Sequence, residues 1–201
     1  MKKQLTKYNK INNSDNDYYN NNADKFIDGT INVDMSMICD KFLGYITTGN
    51  KVLDVGCGSG RDSLYFKNNG YEVVAIDASS ELCLRASMVI NQEVLLLDMN
   101  GLSYEDEFDG IFACASILHV KSEDLSNVFN RLYAALKDDG VLYCSFKYGV
   151  GEKIVNERFF NFMTEDRLAP YIKDFDVLDI FVTGDVRSDR SDSWLNVILK
   201  K

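Results

Sequence analysis

Five residues, Gly56-Cys57-Gly58-Ser59-Gly60, constrain this chain more than any other stretch, because their alternating glycines follow directly on the apolar run Val52-Leu53-Asp54-Val55. Glycines so placed let a strand-to-helix turn take left-handed angles and lie against a ligand with no Cβ atoms in the way. The spacing departs from two phosphate-binding loops. A dinucleotide loop reads G-x-G-x-x-G, and here Gly60 comes one residue early; a P-loop needs Lys-Ser/Thr after its last glycine, and Arg61-Asp62 follows instead. Asp54, two residues before Gly56, is a poor neighbour for a pyrophosphate and a good one for a cation or an ammonium group.

Two further acids extend the pattern. Asp77, 23 residues after Asp54, ends a strand predicted over 71–76, and a carboxylate there can accept both hydroxyls of a ribose. Asp98 ends a strand predicted over 93–97 and can meet an adenine amino group, with the Met99 N–H facing a ring nitrogen. Each acid alone reads equally well as a helix cap or a solvated turn. Three at the carboxyl ends of successive strands share one rim.

Around this rim, strands and helices alternate. Helices are predicted over 62–69, 79–90 and 122–137, and further strands over 109–115 and 140–146. That alternation implies a doubly wound α/β fold with a mostly parallel sheet and helices on both faces. After a helix over 164–172, β-rich runs at 175–183 and 194–199 are too close for a crossover helix between them, so they pair as an antiparallel hairpin. Ahead of the first strand, Asp34 caps a helix whose apolar face is Met35, Ile38, Phe42, Tyr45 and Ile46. Residues 9–22 hold seven asparagines and read as a solvated leader, yet Tyr18, Tyr19, Ala23, Phe26 and Ile27 keep approximately helical spacing. The division expected is a helical cap or lid over 1–48 and a ligand-binding domain over 49–201.

Charge and cysteine usage narrow the class. Twenty-two basic against 31 acidic residues give −9, which disfavours a chain whose main task is gripping nucleic acid or anionic lipid. The start, Met1-Lys2-Lys3-Gln4, lacks the apolar stretch of a secretory signal, and no run is long enough to span a bilayer, so a cytoplasmic location is expected. Cys39, Cys57, Cys83, Cys114 and Cys144 form no C-x-x-C pair, which reads as reduced thiols without a disulfide framework or a metal site.

The segment from Val52 to Ser63, with Asp77, Asp98 and the strand opening Phe108-Asp109-Gly110, resembles the class I S-adenosylmethionine-dependent methyltransferases over about residues 35–150. Gly-Arg-Asp-Ser after the loop and Asn-Gly-Tyr-Glu-Val further on are similar to the tellurite-resistance methyltransferase group. The resemblance implies S-adenosylmethionine as cofactor. Gly56, Cys57, Gly58 and Gly60 would wrap its methionine part, Asp54 would face the amino group through water or backbone, and Arg61 would reach the carboxylate. Asp77 with Ala78 would hold the ribose, Asp98 and Met99 the adenine, and Cys114 with Ala115 would present backbone to the methionine.

Methyl transfer asks the protein chiefly for alignment and exclusion of water. His119, the only histidine, follows the fourth strand and is the candidate catalytic residue, as a general base or as a group that orients the acceptor. The acceptor pocket is expected from Tyr18, Tyr19, Lys147, Tyr148, Arg158, Phe159, Arg187 and Trp194. The partner expected is a small-molecule methyl acceptor, with the chain a monomer or homodimer. An RNA or protein methyltransferase would carry a basic stripe, but 147–201 has nine basic against ten acidic residues. A non-catalytic cofactor sensor and an NAD-dependent reductase are the other classes weighed.

Overall fold

The computed structural model describes residues 13–187 and 189–201. The polar start 1–4, the first part of the asparagine-rich run (9–12) and Ser188 lie outside the described residues. Two short helices come first, α1 (Asn13–Asn21) and α2 (Ala23–Asp28), then α3 (Ser36–Leu43). The run that composition favours as a leader is therefore helical from Asn13. Its Tyr18, Tyr19 and Phe26 rings pack edge to face, which offsets the poor helix propensity of so many asparagines.

The alternating region follows: β1 (Lys51–Val55), α4 (Arg61–Asn68), β2 (Glu72–Asp77), α5 (Ser80–Ile90), β3 (Leu95–Leu96), β4 (Phe108–Ala113), α6 (Ser122–Ala135) and β5 (Leu136–Lys147). Ser79 caps α5 by accepting the Leu82 N–H, as its place before an apolar-periodic run predicts. The third strand is shorter than expected, and the fifth begins at Leu136 because that residue already pairs with Phe108. The chain then forms a hairpin that its sequence pattern did not reveal, β6 (Glu152–Val155) against β7 (Arg158–Asn161). Asn156 and Glu157 turn it with left-handed φ values, a geometry usually signalled by a glycine that is missing here. Last come α7 (Glu165–Leu168), β8 (Asp176–Gly184) and β9 (Ser193–Lys200).

The main sheet has the order β3-β2-β1-β4-β5-β9-β8. The first five strands are parallel; β9 pairs antiparallel with both β5 and β8, so the terminal hairpin is there and its last strand is the inserted one. Strand order reverses between β1 and β4, which opens a crevice at their carboxyl ends. Both faces are covered. One core joins β4, β5 and β9 to α6; the other stacks Phe42, Phe66, Phe112 and Tyr143, with Phe112 and Tyr143 face to face at 4.6 Å. Each such fully buried ring contributes about 1.5–3 kcal/mol. That fixes the strand ends against which the site is built. No helix among the described residues is long and apolar enough to cross a membrane.

Candidate functional site

A cavity of about 1070 Å³ lies over the crevice between the ends of β1 and β4. Pockets for one ligand commonly hold about 300–1,000 Å³, so this one has room for a nucleoside and a second small molecule. One end is lined by strand ends, the other by α1, β7 and the β8–β9 turn.

The strand-built end begins at the glycine loop. Gly56 (φ +72°) and Gly58 (φ +57°) are both left-handed. A Cβ on Gly56 would stand 2.5 Å from Ser116 Cβ, and one on Gly58 would stand 2.9 Å from the Phe26 ring. The loop is thus pressed between the turn after β4 and the N-terminal helices. Gly56 and Cys57 N–H donate to Ile76 O, and Gly58 N–H donates to Asp77 Oδ2 at 2.9 Å. Asp77 Oδ1 accepts the Ser79 N–H at 2.9 Å. Burial raises the Asp77 carboxyl above its ordinary value, and these N–H bonds offset the rise only in part. Ala78, Asp98 and Met99 line the same wall; Asp98 Oδ1 accepts both the backbone and side-chain N–H groups of Asn100. Ala115, at the foot of the crevice, takes a left-handed φ of +51° and donates its N–H to Ser145 Oγ. A left-handed alanine is uncommon, and such backbone gathers at ligand sites.

Of the expected cofactor contacts, two do not line the cavity and a third is already engaged by a neighbour. Gly60 (φ +77°) lies behind the loop, where a Cβ would press on Ala86 and Ile90, so it serves the approach of α4 to α5. Asp54 is buried beneath the loop rather than along the cavity and accepts the Ser63 hydroxyl at 2.6 Å; burial and the nearby Asp62 carboxylate push it up to about 7. Arg61 does line the cavity, but Nε and Nη2 grip Asp62 at 2.7 and 2.8 Å and Nη1 donates to Thr30 O. Its guanidinium ties the loop to the segment after α2. Cys57 and Cys114 face the cavity with thiols raised by burial, Cys114 to about 12, so neither is a thiolate near neutral pH.

At the other end, His119 closes a 3₁₀ turn (Ile117–His119) and both its nitrogens are engaged. Nδ1 lies 2.7 Å from Phe159 O, which can only accept, so Nδ1 carries the proton and Nε2 accepts the Tyr19 hydroxyl at 2.9 Å. Burial first, then the Arg158 and Lys147 charges, push His119 down to about 4; burial pushes Tyr19 up to about 12. The pair is neutral across the physiological range. Asp15 holds the same hairpin by accepting the Phe159 N–H at 2.8 Å. Arg158 lies 4.8 Å from the Tyr18 ring centre and 5.1 Å from that of Phe160. Lys147 pairs with Asp192 at 2.7 Å; Arg187 pairs with Asp185, which also accepts the Trp194 indole N–H.

Of the expected acceptor residues, Tyr18, Tyr19, His119, Lys147, Arg158, Phe159, Arg187 and Trp194 meet in this one cavity. Tyr148 does not. Past the last paired residue of β5 it turns outward, 41% exposed, and its hydroxyl donates to Glu165. The sequence reading passed over Asp15, Phe26 and Ser116 as site residues. Asp15 hides in the polar run, Phe26 read only as helix face, and Ser116, whose buried Oγ lacks a partner among the described residues, carries no motif.

Comparison with known proteins agrees with this geometry. A family described as methyltransferase domain matches residues 52–140. An uncharacterized methyltransferase of Staphylococcus carnosus is 28% identical across 86% of this chain and 93% of its own length. A probable S-adenosyl-L-methionine-dependent methyltransferase, TehB of Haemophilus influenzae, is 25% identical over 64% of this chain, which spans only 47% of that protein. In fold, 94% of the chain superposes on 86% of a Burkholderia thailandensis 1,6-didemethyltoxoflavin-N1-methyltransferase with bound 1,6-didemethyltoxoflavin and S-adenosylhomocysteine, with a TM-score of 0.76 and 21% identity.

Proposed function

We propose that the chain is a class I S-adenosylmethionine-dependent methyltransferase that moves the methyl group to a small-molecule acceptor seated between α1, β7 and the β8–β9 turn. One observation carries this reading. A single cavity holds the glycine-loop wall at one end and the Tyr19–His119 pair at the other, with about 1070 Å³ between. The Burkholderia methyltransferase of similar fold, with bound 1,6-didemethyltoxoflavin and S-adenosylhomocysteine, supports a small molecule here too.

The residues fit the cofactor. Gly56 and Gly58 keep Cβ atoms out of the loop, and Asp77 is locked by two backbone N–H groups in a position to accept ribose hydroxyls. Asp98, held through Oδ1 alone, keeps Oδ2 for an adenine amino group. When bound, S-adenosylmethionine supplies an activated methyl on a sulfonium. The protein supplies alignment. His119 at about 4 is too weak a base to take a proton efficiently near neutral pH, and both its nitrogens are occupied. Its role is to fix the Tyr19 hydroxyl at the cavity wall, beside the Arg158 guanidinium.

Helices α1 and α2 act as the lid in this reading. They are pinned on both sides of the crevice: Asn20 Oδ1 accepts the Ser79 hydroxyl, Arg85 pairs with Asp24, and Tyr19 and Asp15 reach His119 and β7. Release of these contacts would open the site, and their closure would exclude water. The test is calorimetry with S-adenosylhomocysteine and with NAD, followed by a screen of acceptors with labelled cofactor. Binding of the first without the second, and label transfer to a small molecule, is the expected result; label appearing only in RNA or protein would overturn the acceptor class.

A further inference from the structure

Three cations of the cavity wall are already neutralised: Arg61 by Asp62, Arg187 by Asp185 and Lys147 by Asp192. Arg158 is treated differently. Its guanidinium is surrounded by rings, at 4.8 Å from Tyr18, 6.0 Å from Tyr19 and 5.1 Å from Phe160, and its Nε is buried without a hydrogen-bond partner among the described residues. Aromatic faces attract the charge but accept none of the in-plane N–H bonds. Asp15, whose carboxyl feels the Arg158 charge, has Oδ1 on the Phe159 N–H and makes no hydrogen bond to Arg158. A buried N–H donor left unmade is costly, so this one is suited to an acceptor that arrives with a ligand.

We propose that Arg158 anchors an oxyanion, a carboxylate or phosphate, carried by the methyl acceptor. This rests on the methyl-transfer reading of the cavity. A planar guanidinium binds either group through two parallel N–H···O bonds, and the rings hold its plane fixed while the ligand is absent or present alike. Lys147, 4.9 Å from the centre of the Phe160 ring that it shares with Arg158, keeps its charge paired with Asp192, so Arg158 is the group left for the anion. The anionic group would then lie against β7, and the methyl-accepting atom would reach toward Tyr19 and the glycine loop. An acidic chain thereby keeps one local site for an anion.

The sole histidine gives a direct probe, since its ring proton is one resolvable signal in NMR and both cations act on it. The full chain, saturated with S-adenosylhomocysteine, is titrated with inorganic phosphate and separately with benzoate at constant ionic strength. Saturable movement of the His119 signal is expected with at least one anion, and which one responds assigns phosphate or carboxylate. Arg158→Gln should weaken that binding about tenfold or more and Arg158→Lys less, because a point charge keeps attraction but loses the two-pronged geometry. Lys200→Gln, which removes a cation paired with Asp139 away from the cavity, should stay within about threefold of the parent. If neither anion saturates the wild-type chain, or Arg158→Gln binds as well as the parent, the proposal is overturned. If the Gln variant fails to bind S-adenosylhomocysteine through misfolding, the Lys variant and the wild-type titrations still decide. Failure of the wild-type chain to bind S-adenosylhomocysteine would instead overturn the methyl-transfer reading itself.

Discussion

The two ends of the cavity are built from different material. The glycine-loop end uses backbone and short side chains at the ends of β1, β2 and β4, strands whose register is fixed by a core buried on both faces. The Tyr19–His119 end is assembled from α1, a 3₁₀ turn, a two-stranded hairpin outside the main sheet and the β8–β9 turn. Its bonds join distant residues, Tyr19 to His119 and Asp15 to Phe159. A wall made of core strands cannot move without costing the fold, whereas a wall made of docked segments can open at the cost of a few surface contacts. The first suits a cofactor of fixed shape and the second an acceptor that must come and go.

The comparison is broken most severely at Gly56. A side chain there meets Ser116 and must leave a left-handed φ, so Gly56→Val should lower S-adenosylhomocysteine affinity about a hundredfold or more, about 2.7 kcal/mol or above. Calorimetry on the folded variant decides; near-normal binding would show that the loop is not the rigid wall. Asp77→Ala comes next, removing a carboxylate held by Gly58 and Ser79. A loss of about 1.5–3 kcal/mol in the same measurement is expected, the scale of hydrogen bonds to a charged group.

The docked end should separate binding from turnover. Removal of residues 1–28 deletes α1 and α2 while sparing both cores, so the remainder should fold and turnover should drop about tenfold or more. Hydrogen exchange supplies the companion measurement, since α1 should gain protection when ligands bind; equal protection with and without them would leave it a mere appendage. A smaller effect is expected for His119→Asn, which can still accept from Tyr19 and should retain most activity, with His119→Ala slower by about tenfold.

The pH dependence sharpens the same point. His119 titrates near 4 in the folded chain against 6.5 when unperturbed, so activity should not fall through pH 6.5, as it would if the imidazole had to lose a proton there. Stability moves with it. Between 6.5 and about 4 the unfolded chain binds a proton that the buried ring refuses, so this residue's contribution is intact above 6.5 and is lost as the pH falls toward 4. Asp54 acts oppositely, favouring the fold at low pH and losing that contribution as the pH rises through about 7. In urea melts the gap between the parent and His119→Asn chains should therefore be widest near neutrality and shrink as the pH falls toward 4. The smallest effect belongs to Tyr148→Phe, whose hydroxyl meets only Glu165 at the surface; turnover should change less than about twofold.

What the sequence by itself determined is the glycine-loop wall and the sheet that carries it. Alternating strands and helices, alternate glycines and an acid at each strand end are local patterns, read over a few residues because backbone angles and side-chain period are local physics. The same locality sets its limit. Gly60 and Asp54 belong to the motif but turn to α5 and to Ser63, since a motif fixes spacing along the chain and not which neighbour arrives in space. The sequence also offered candidates for the other wall, but only the tertiary structure decided how they meet. Asn-rich α1 is ordered by rings and hydrogen bonds from residues about a hundred or more positions away, and a hairpin turning through Asn156 and Glu157 brings Arg158 to the cavity. Such contacts must first overcome the conformational entropy of closing long loops, so their outcome is settled by the summed packing of the folded chain.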